Sequence, residues 1–157
     1  MAMVAASSVT WVCPALPVML QNAFTSNVIA QTGEWPHNNG LCAYSGMRFG
    51  EDTYWFFLQY LPNRFKIANQ RFNNWVIAGG DGTMTVHDGG DCPDQYWAME
   101  PVDGQPSIVR LKNLTHGIYA FDPNSVGETG ELAISPLRQV QRSRFEWALL
   151  NQPSLAF

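Results

Sequence analysis

A four-part pattern recurs three times along the chain, and each copy ends in a tryptophan inside an apolar run. The first copy reads Val18-Met19-Leu20-Gln21-Asn22, Val28-Ile29-Ala30, Leu41-Cys42-Ala43-Tyr44-Ser45 and Tyr54-Trp55-Phe56-Phe57-Leu58. The second reads Phe65-Lys66-Ile67-Ala68-Asn69, Val76-Ile77-Ala78, Met84-Thr85-Val86-His87-Asp88 and Tyr96-Trp97-Ala98-Met99-Glu100. The third reads Val109-Arg110-Leu111-Lys112-Asn113, Ile118-Tyr119-Ala120, Leu132-Ala133-Ile134-Ser135-Pro136 and Phe145-Glu146-Trp147-Ala148-Leu149. Asn22, Asn69 and Asn113 mark a period of roughly 45 residues, and the length differences fall at the joints. A unit this short cannot bury its own apolar face, so the three copies must share one core.

Alternation within the copies, as in Leu41/Ala43, Met84/Val86 and Leu132/Ile134, is the period-2 signature of half-buried strands. The joints are rich in turn formers, with Asn73-Asn74 and Gly79-Gly80-Asp81-Gly82 the clearest. Only the stretch from Leu137 to Phe145 has room for a helical turn. The expected fold class is all-β, with twelve short strands in a single domain over residues 1–157. Its repeats span about 17–63, 64–107 and 108–150, with a short N-terminal arm and a C-terminal tail.

The net charge of −4 provides no basic face for nucleic acid or for an anionic membrane surface. The apolar opening lacks a basic leader and is interrupted by Pro14 and Pro17, so neither a signal peptide nor membrane insertion is expected. The expected location is cytoplasmic, with secretion by a non-classical route as the alternative. Cys13, Cys42 and Cys92 form no CxxC pair and read as reduced thiols, with Cys42 expected to face the core. Asp88-Gly89-Gly90-Asp91 lacks the spaced ligands of a calcium loop, so no metal and no cofactor is expected. Asn113-Leu114-Thr115 is formally a glycosylation sequon, but Asn113 holds the repeat position of Asn22 and Asn69 and reads as structural.

With three four-stranded copies each closing on a tryptophan, the chain resembles the β-trefoil superfamily. Gln95-Tyr96-Trp97 matches the Gln-x-Trp signature of its ricin-type branch, whereas Thr53-Tyr54-Trp55 and Phe145-Glu146-Trp147 keep the Trp and lose the Gln. The resemblance implies six barrel strands and six capping strands, with the repeat tryptophans in the core. It also implies a shallow sugar pocket in each unit, bounded by the joint between the second and third strands, the third strand and the joint after it.

Sugar recognition needs an aromatic face for the C–H surface and amide, carboxylate or basic groups for the hydroxyls. In the first copy these are Trp35, His37, Asn39, Tyr44 and Arg48. In the second they are Asp81, His87, Asp88, Asp91 and Gln95. The third offers Asp122 and Asn124 and ranks last, because its arginines read as a solvated loop. The expected function is therefore a lectin that binds glycans through one to three pockets. The alternative is a trefoil protease inhibitor, or another protein-binding trefoil, acting through an exposed loop such as Trp35-Pro36-His37 or Cys92-Pro93-Asp94. No nucleophile context such as G-x-S-x-G occurs, and no enzyme is expected. Trp11, Val12 and Leu16 in the arm and Leu155-Ala156-Phe157 in the tail either pack on the barrel or join two copies into a homodimer.

Overall fold

The computed structural model describes residues 13–31, 41–45, 51–72, 75–78, 82–87 and 92–151. The first repeat contributes β1 (Val18–Asn22), β2 (Val28–Gln31), β3 (Leu41–Tyr44) and β4 (Trp55–Leu61). The second contributes β5 (Arg64–Asn69), β6 (Trp75–Ala78), β7 (Met84–His87) and β8 (Trp97–Val102). The third contributes β9 (Gln105–Asn113), β10 (Tyr119–Phe121), β11 (Gly130–Glu131), β12 (Ala133–Ser135) and β13 (Trp147–Asn151). A 3-10 turn precedes the last strand of each repeat, at Glu51–Thr53, Pro93–Gln95 and Arg142–Phe145. The third of these falls inside the stretch where the sequence left room for a helical turn. Among the described residues there are thus thirteen strands, one more than expected, and the extra one is the two-residue β11.

Six strands close a ring. β1 pairs with β4, β4 with β5, β5 with β8, β8 with β9, β9 with β13, and β13 returns to β1, every pair antiparallel. Closure leaves these strands no open edge. The remaining pairs, β2/β3, β6/β7 and β10/β12, are three capping hairpins. Neighbouring repeats are also stitched through the cap: β11 pairs with β3, and Thr83 bridges Ala133. The joints between repeats are tight turns at Pro62-Asn63 and Asp103-Gly104, where Asn63 and Gly104 adopt φ of 53° and 73°. Both residue types tolerate that left-handed conformation.

Trp55, Trp97 and Trp147 are each wholly buried in one shared core with Val18, Phe65 and Val109, their respective partners across the barrel register. Each indole N–H donates to a carbonyl of its own repeat's second strand: Trp55 to Ile29 (2.9 Å), Trp97 to Val76 (3.1 Å) and Trp147 to Ala120 (3.3 Å). A buried indole without that acceptor would forfeit about 1–3 kcal/mol. The tryptophan is therefore required both for its area and for its N–H, which locks cap to barrel.

Asn22, Asn69 and Asn113 are structural in an equally regular way. Each side-chain oxygen accepts the N–H groups two and three residues on, and each side-chain NH2 reaches across to the carbonyl of a 3-10 turn. One other expectation, for Cys42, is corrected. Leu41 and Ala43 face the core, so strand alternation turns the intervening Cys42 away from it. In the N-terminal arm Leu16 is 72% exposed, while Cys13 lies against the core with its thiol directed at the Phe57 carbonyl. Trp11, Val12 and the tail 155–157 lie outside the described residues.

Candidate functional site

The repeat superposes the ends of the third strands: Tyr44 on β3, His87 on β7 and Ser135 on β12 pair respectively with Val28, Trp75 and Tyr119. Alternation decides which way they point. Ala43, Val86 and Ile134 enter the core, so the next residue stands on the opposite face. Tyr44 and His87 are half-buried there, whereas Ser135 is buried and donates its hydroxyl to the Pro136 carbonyl. Tyr44 rests against a small apolar cluster of Met19, Val28 and Tyr54, which fixes its ring. The first two repeats therefore present an aromatic and an imidazole at the rim of the cap, and the third presents neither.

Of the other candidates, Trp35, His37, Asn39, Arg48, Asp81, Asp88 and Asp91 lie outside the described residues. Those segments border the described strands directly: 32–40 leads into β3, and 88–91 follows His87.

Three candidates take scaffold roles instead. Gln95 is completely buried, and its side-chain oxygen accepts the Cys92 N–H at 3.4 Å, closing the 3-10 turn ahead of Trp97. A side chain with no accessible surface cannot touch a ligand, so the Gln of the signature motif serves the fold. Asp122 is likewise completely buried. One carboxylate oxygen accepts from the Thr25 hydroxyl (2.5 Å) and the Asn27 amide (2.9 Å), and the other from the Asn124 backbone N–H (2.9 Å) and side-chain NH2 (2.7 Å). Four donors fill its lone pairs, which is how a carboxylate is tolerated at zero exposure. Asn124 completes the arrangement by donating to the Glu131 carbonyl at 3.0 Å.

This network joins the third repeat to the first. Asn27 also donates to the Glu128 carbonyl, the Ser45 N–H to the Thr129 hydroxyl, and Arg144 reaches the carbonyls of Asp122 and Asn124 at 3.0 and 2.6 Å. The segment that the resemblance offered as a third pocket is thus stapled onto the first repeat, with the polar side chains of Asp122 and Asn124 consumed internally. The sequence carries one hint of this: Asp122 is followed at once by Pro123-Asn124, a turn-forming run.

A second polar and aromatic group escaped the sequence reading. On the outer wall of the barrel Arg64 and Lys66 of β5 stand beside Leu58 and Tyr60 of β4, with Tyr96 over both cations. Period-2 alternation, Leu58/Tyr60 against Arg64/Lys66, was the available signal. The approach of Tyr96 from the far end of the same repeat was not. Among the described residues no group of three His, Cys, Asp or Glu side chains is placed to hold a metal ion, and no helix is long and apolar enough to cross a membrane.

No family model matches the chain, and no curated protein matches it by sequence. Solved structures match it along most of its length. The trefoil named BEL aligns with a TM-score of 0.72 at 11% identity, covering 92% of this chain and 99% of its own. SeviL bound to asialo-GM1 saccharide aligns at 0.68 with 18% identity, covering 88% and 98%. The cytolethal distending toxin of Haemophilus ducreyi aligns at 0.71 with 19% identity, covering 99% of this chain and 92% of that one. Identities this low speak to the fold alone. A closed ring of six strands, three capping hairpins and these matches together make the chain a β-trefoil.

Proposed function

We propose that this protein is a lectin, acting by binding and not by catalysis, and that its first and second repeats carry the glycan sites. The observation that carries the proposal is the placement of half-buried Tyr44 and His87 at repeat-equivalent rim positions, while the equivalent Ser135 of the third repeat is buried and bonded to the Pro136 carbonyl. An aromatic face on one rim and an imidazole on the other suit a sugar's C–H surface and hydroxyls. Each borders a joint whose residues add to that chemistry, Trp35, His37, Asn39 and Arg48 in one repeat, and Asp81, Asp88 and Asp91 in the other. The saccharide bound to SeviL supports the reading as a precedent on the same fold.

A glycan array tests it. Binding to a defined set of glycans, weakened about tenfold or more by Tyr44→Ala or Trp35→Ala for one site and His87→Ala for the other, is expected. An array silent at high protein concentration would sink the proposal.

A further inference from the structure

The barrel wall has three positions related by the repeat, and each carries a different chemistry. At the first, Met19 packs with Val28, Tyr54, Tyr44 and Leu150. At the third, Arg110 takes the place of Met19, faces Glu146 at 3.7 Å, and lies opposite Glu100, whose carboxylate accepts the Tyr119 hydroxyl at 2.8 Å. At the second, Lys66 takes that place, and the residues corresponding to Glu100 and Glu146 are Leu58 and Tyr96. A cation is thus kept where the two acidic side chains of the third position are replaced by apolar and aromatic ones.

A second cation joins it. The Arg64 guanidinium lies 3.9 Å from the centroid of the Tyr96 ring, and the Lys66 ammonium lies 5.0 and 5.1 Å from the Tyr60 and Tyr96 centroids. The two rings meet edge to face at 5.8 Å. Such stacking orients the guanidinium but leaves its N–H groups to find acceptors elsewhere. Among the described residues none accepts from Arg64, and its Nε is buried without a partner. Around it Leu58, Tyr60 and Leu61 are 40%, 50% and 55% exposed, a cluster of open apolar side chains on one strand. The wall therefore combines a pre-oriented, under-satisfied cation with an exposed aromatic ring.

We propose that this wall is a binding site for an acidic saccharide, with a carboxylate or sulfate meeting Arg64 and a sugar C–H face lying on Tyr60. Charge-assisted bonds to a fork-shaped guanidinium fit either anion. With a net charge of −4 the chain does not steer anions from a distance, so recognition rests on close contact. The anion site stands on the geometry of Arg64 and Tyr96. Its assignment to a saccharide rests on the glycan-binding reading above.

The test is calorimetric titration of the full chain with oligogalacturonate, a sulfated oligosaccharide, a neutral galacto-oligosaccharide and polyglutamate, using wild type, Arg64→Gln and Tyr60→Ala. Thermal melts check folding, and Tyr60→Ala removes a ring that is already half exposed, so one variant remains informative if the other unfolds. Binding of at least one acidic oligosaccharide, weakened about tenfold or more by each folded variant and by added salt, is the expected result. The carboxylated and sulfated arms distinguish the two anions. Absence of acidic-saccharide binding, or binding indifferent to both variants, overturns the proposal even where the neutral sugar still binds at the cap. Acidic binding with the neutral sugar silent supports the wall site and counts against the cap sites. Polyglutamate bound as tightly through the same two residues overturns the saccharide assignment in favour of an acidic peptide.

Discussion

The side-chain amide of Asn22 donates to the carbonyl of Arg144 at 2.8 Å, joining the first strand of the first repeat to the last 3-10 turn of the third. The same bond recurs from Asn69 to Asp52 at 3.0 Å and from Asn113 to Asp94 at 2.9 Å. Three identical contacts thus run around the barrel, but only that of Asn22 closes the ring between the two ends of the chain.

Replacing Asn22 by alanine removes one donated and two accepted bonds at a site 1% exposed, leaving the Phe24 and Thr25 N–H groups without this acceptor and the Arg144 carbonyl with the Asp122 N–H alone. The expected loss is about 2–4 kcal/mol, with Asn69→Ala and Asn113→Ala similar. Urea denaturation checks it. A loss within ±0.5 kcal/mol, the range of surface substitutions, would contradict the assigned role.

Trp97→Phe keeps an aromatic ring but deletes the N–H held by the Val76 carbonyl and part of the buried area. About 2–3 kcal/mol of stability should be lost, with glycan affinity unchanged. A lectin that stays stable but loses affinity would show instead that this tryptophan faces the ligand.

Asp122→Ala removes the acceptor shared by Thr25, Asn27 and Asn124 and strands the Thr25 hydroxyl and the Asn124 backbone N–H, and about 3 kcal/mol is the expected cost. Gly130→Ala should disturb the same network from the opposite side, because a Cβ there collides with the Asn124 side chain. Both variants should lower the melting temperature while leaving binding at the first two repeats intact. Loss of glycan binding in folded Asp122→Ala protein would restore the third pocket.

Burial, the hydrogen bond to Glu100 and the charge of Glu100 push the Tyr119 phenol up to about 12, against the opposing pull of Arg110. The folded state therefore favours the protonated phenol. Its contribution to stability is complete below the ordinary value of 10 and is lost as pH rises from there through about 12. Ultraviolet titration should show one tyrosine ionising near 12, and Tyr119→Phe should abolish that component and flatten the alkaline loss of stability. An unchanged profile in Tyr119→Phe would count against it.

The barrel and its core were legible in the sequence because a buried position repeats its demands wherever the fold repeats. A tryptophan with an acceptor, an asparagine closing a turn and alternating apolar residues must recur at Trp55, Trp97 and Trp147 and at Asn22, Asn69 and Asn113. Cys42 was misjudged only because its neighbours Leu41 and Ala43 already occupied the core-facing phase of the strand. The candidate site was less legible. Gln95, Asp122 and Asn124 have the chemistry of ligand contacts, and nothing in their order along the chain reveals that Cys92, Thr25, Asn27 and Glu131 use that chemistry up.

Sequence by itself determined the repeat, the all-β class and the residues that hold the repeats together, since period-2 burial and recurring hydrogen-bond requirements are local and print themselves three times. Tertiary structure alone decided which polar residues are spent and which are available. Asp122 meets Thr25 across 97 positions and Tyr96 covers Arg64 from the far end of the same repeat. Whether a carboxylate or a guanidinium has a partner depends on groups brought together only when the barrel closes.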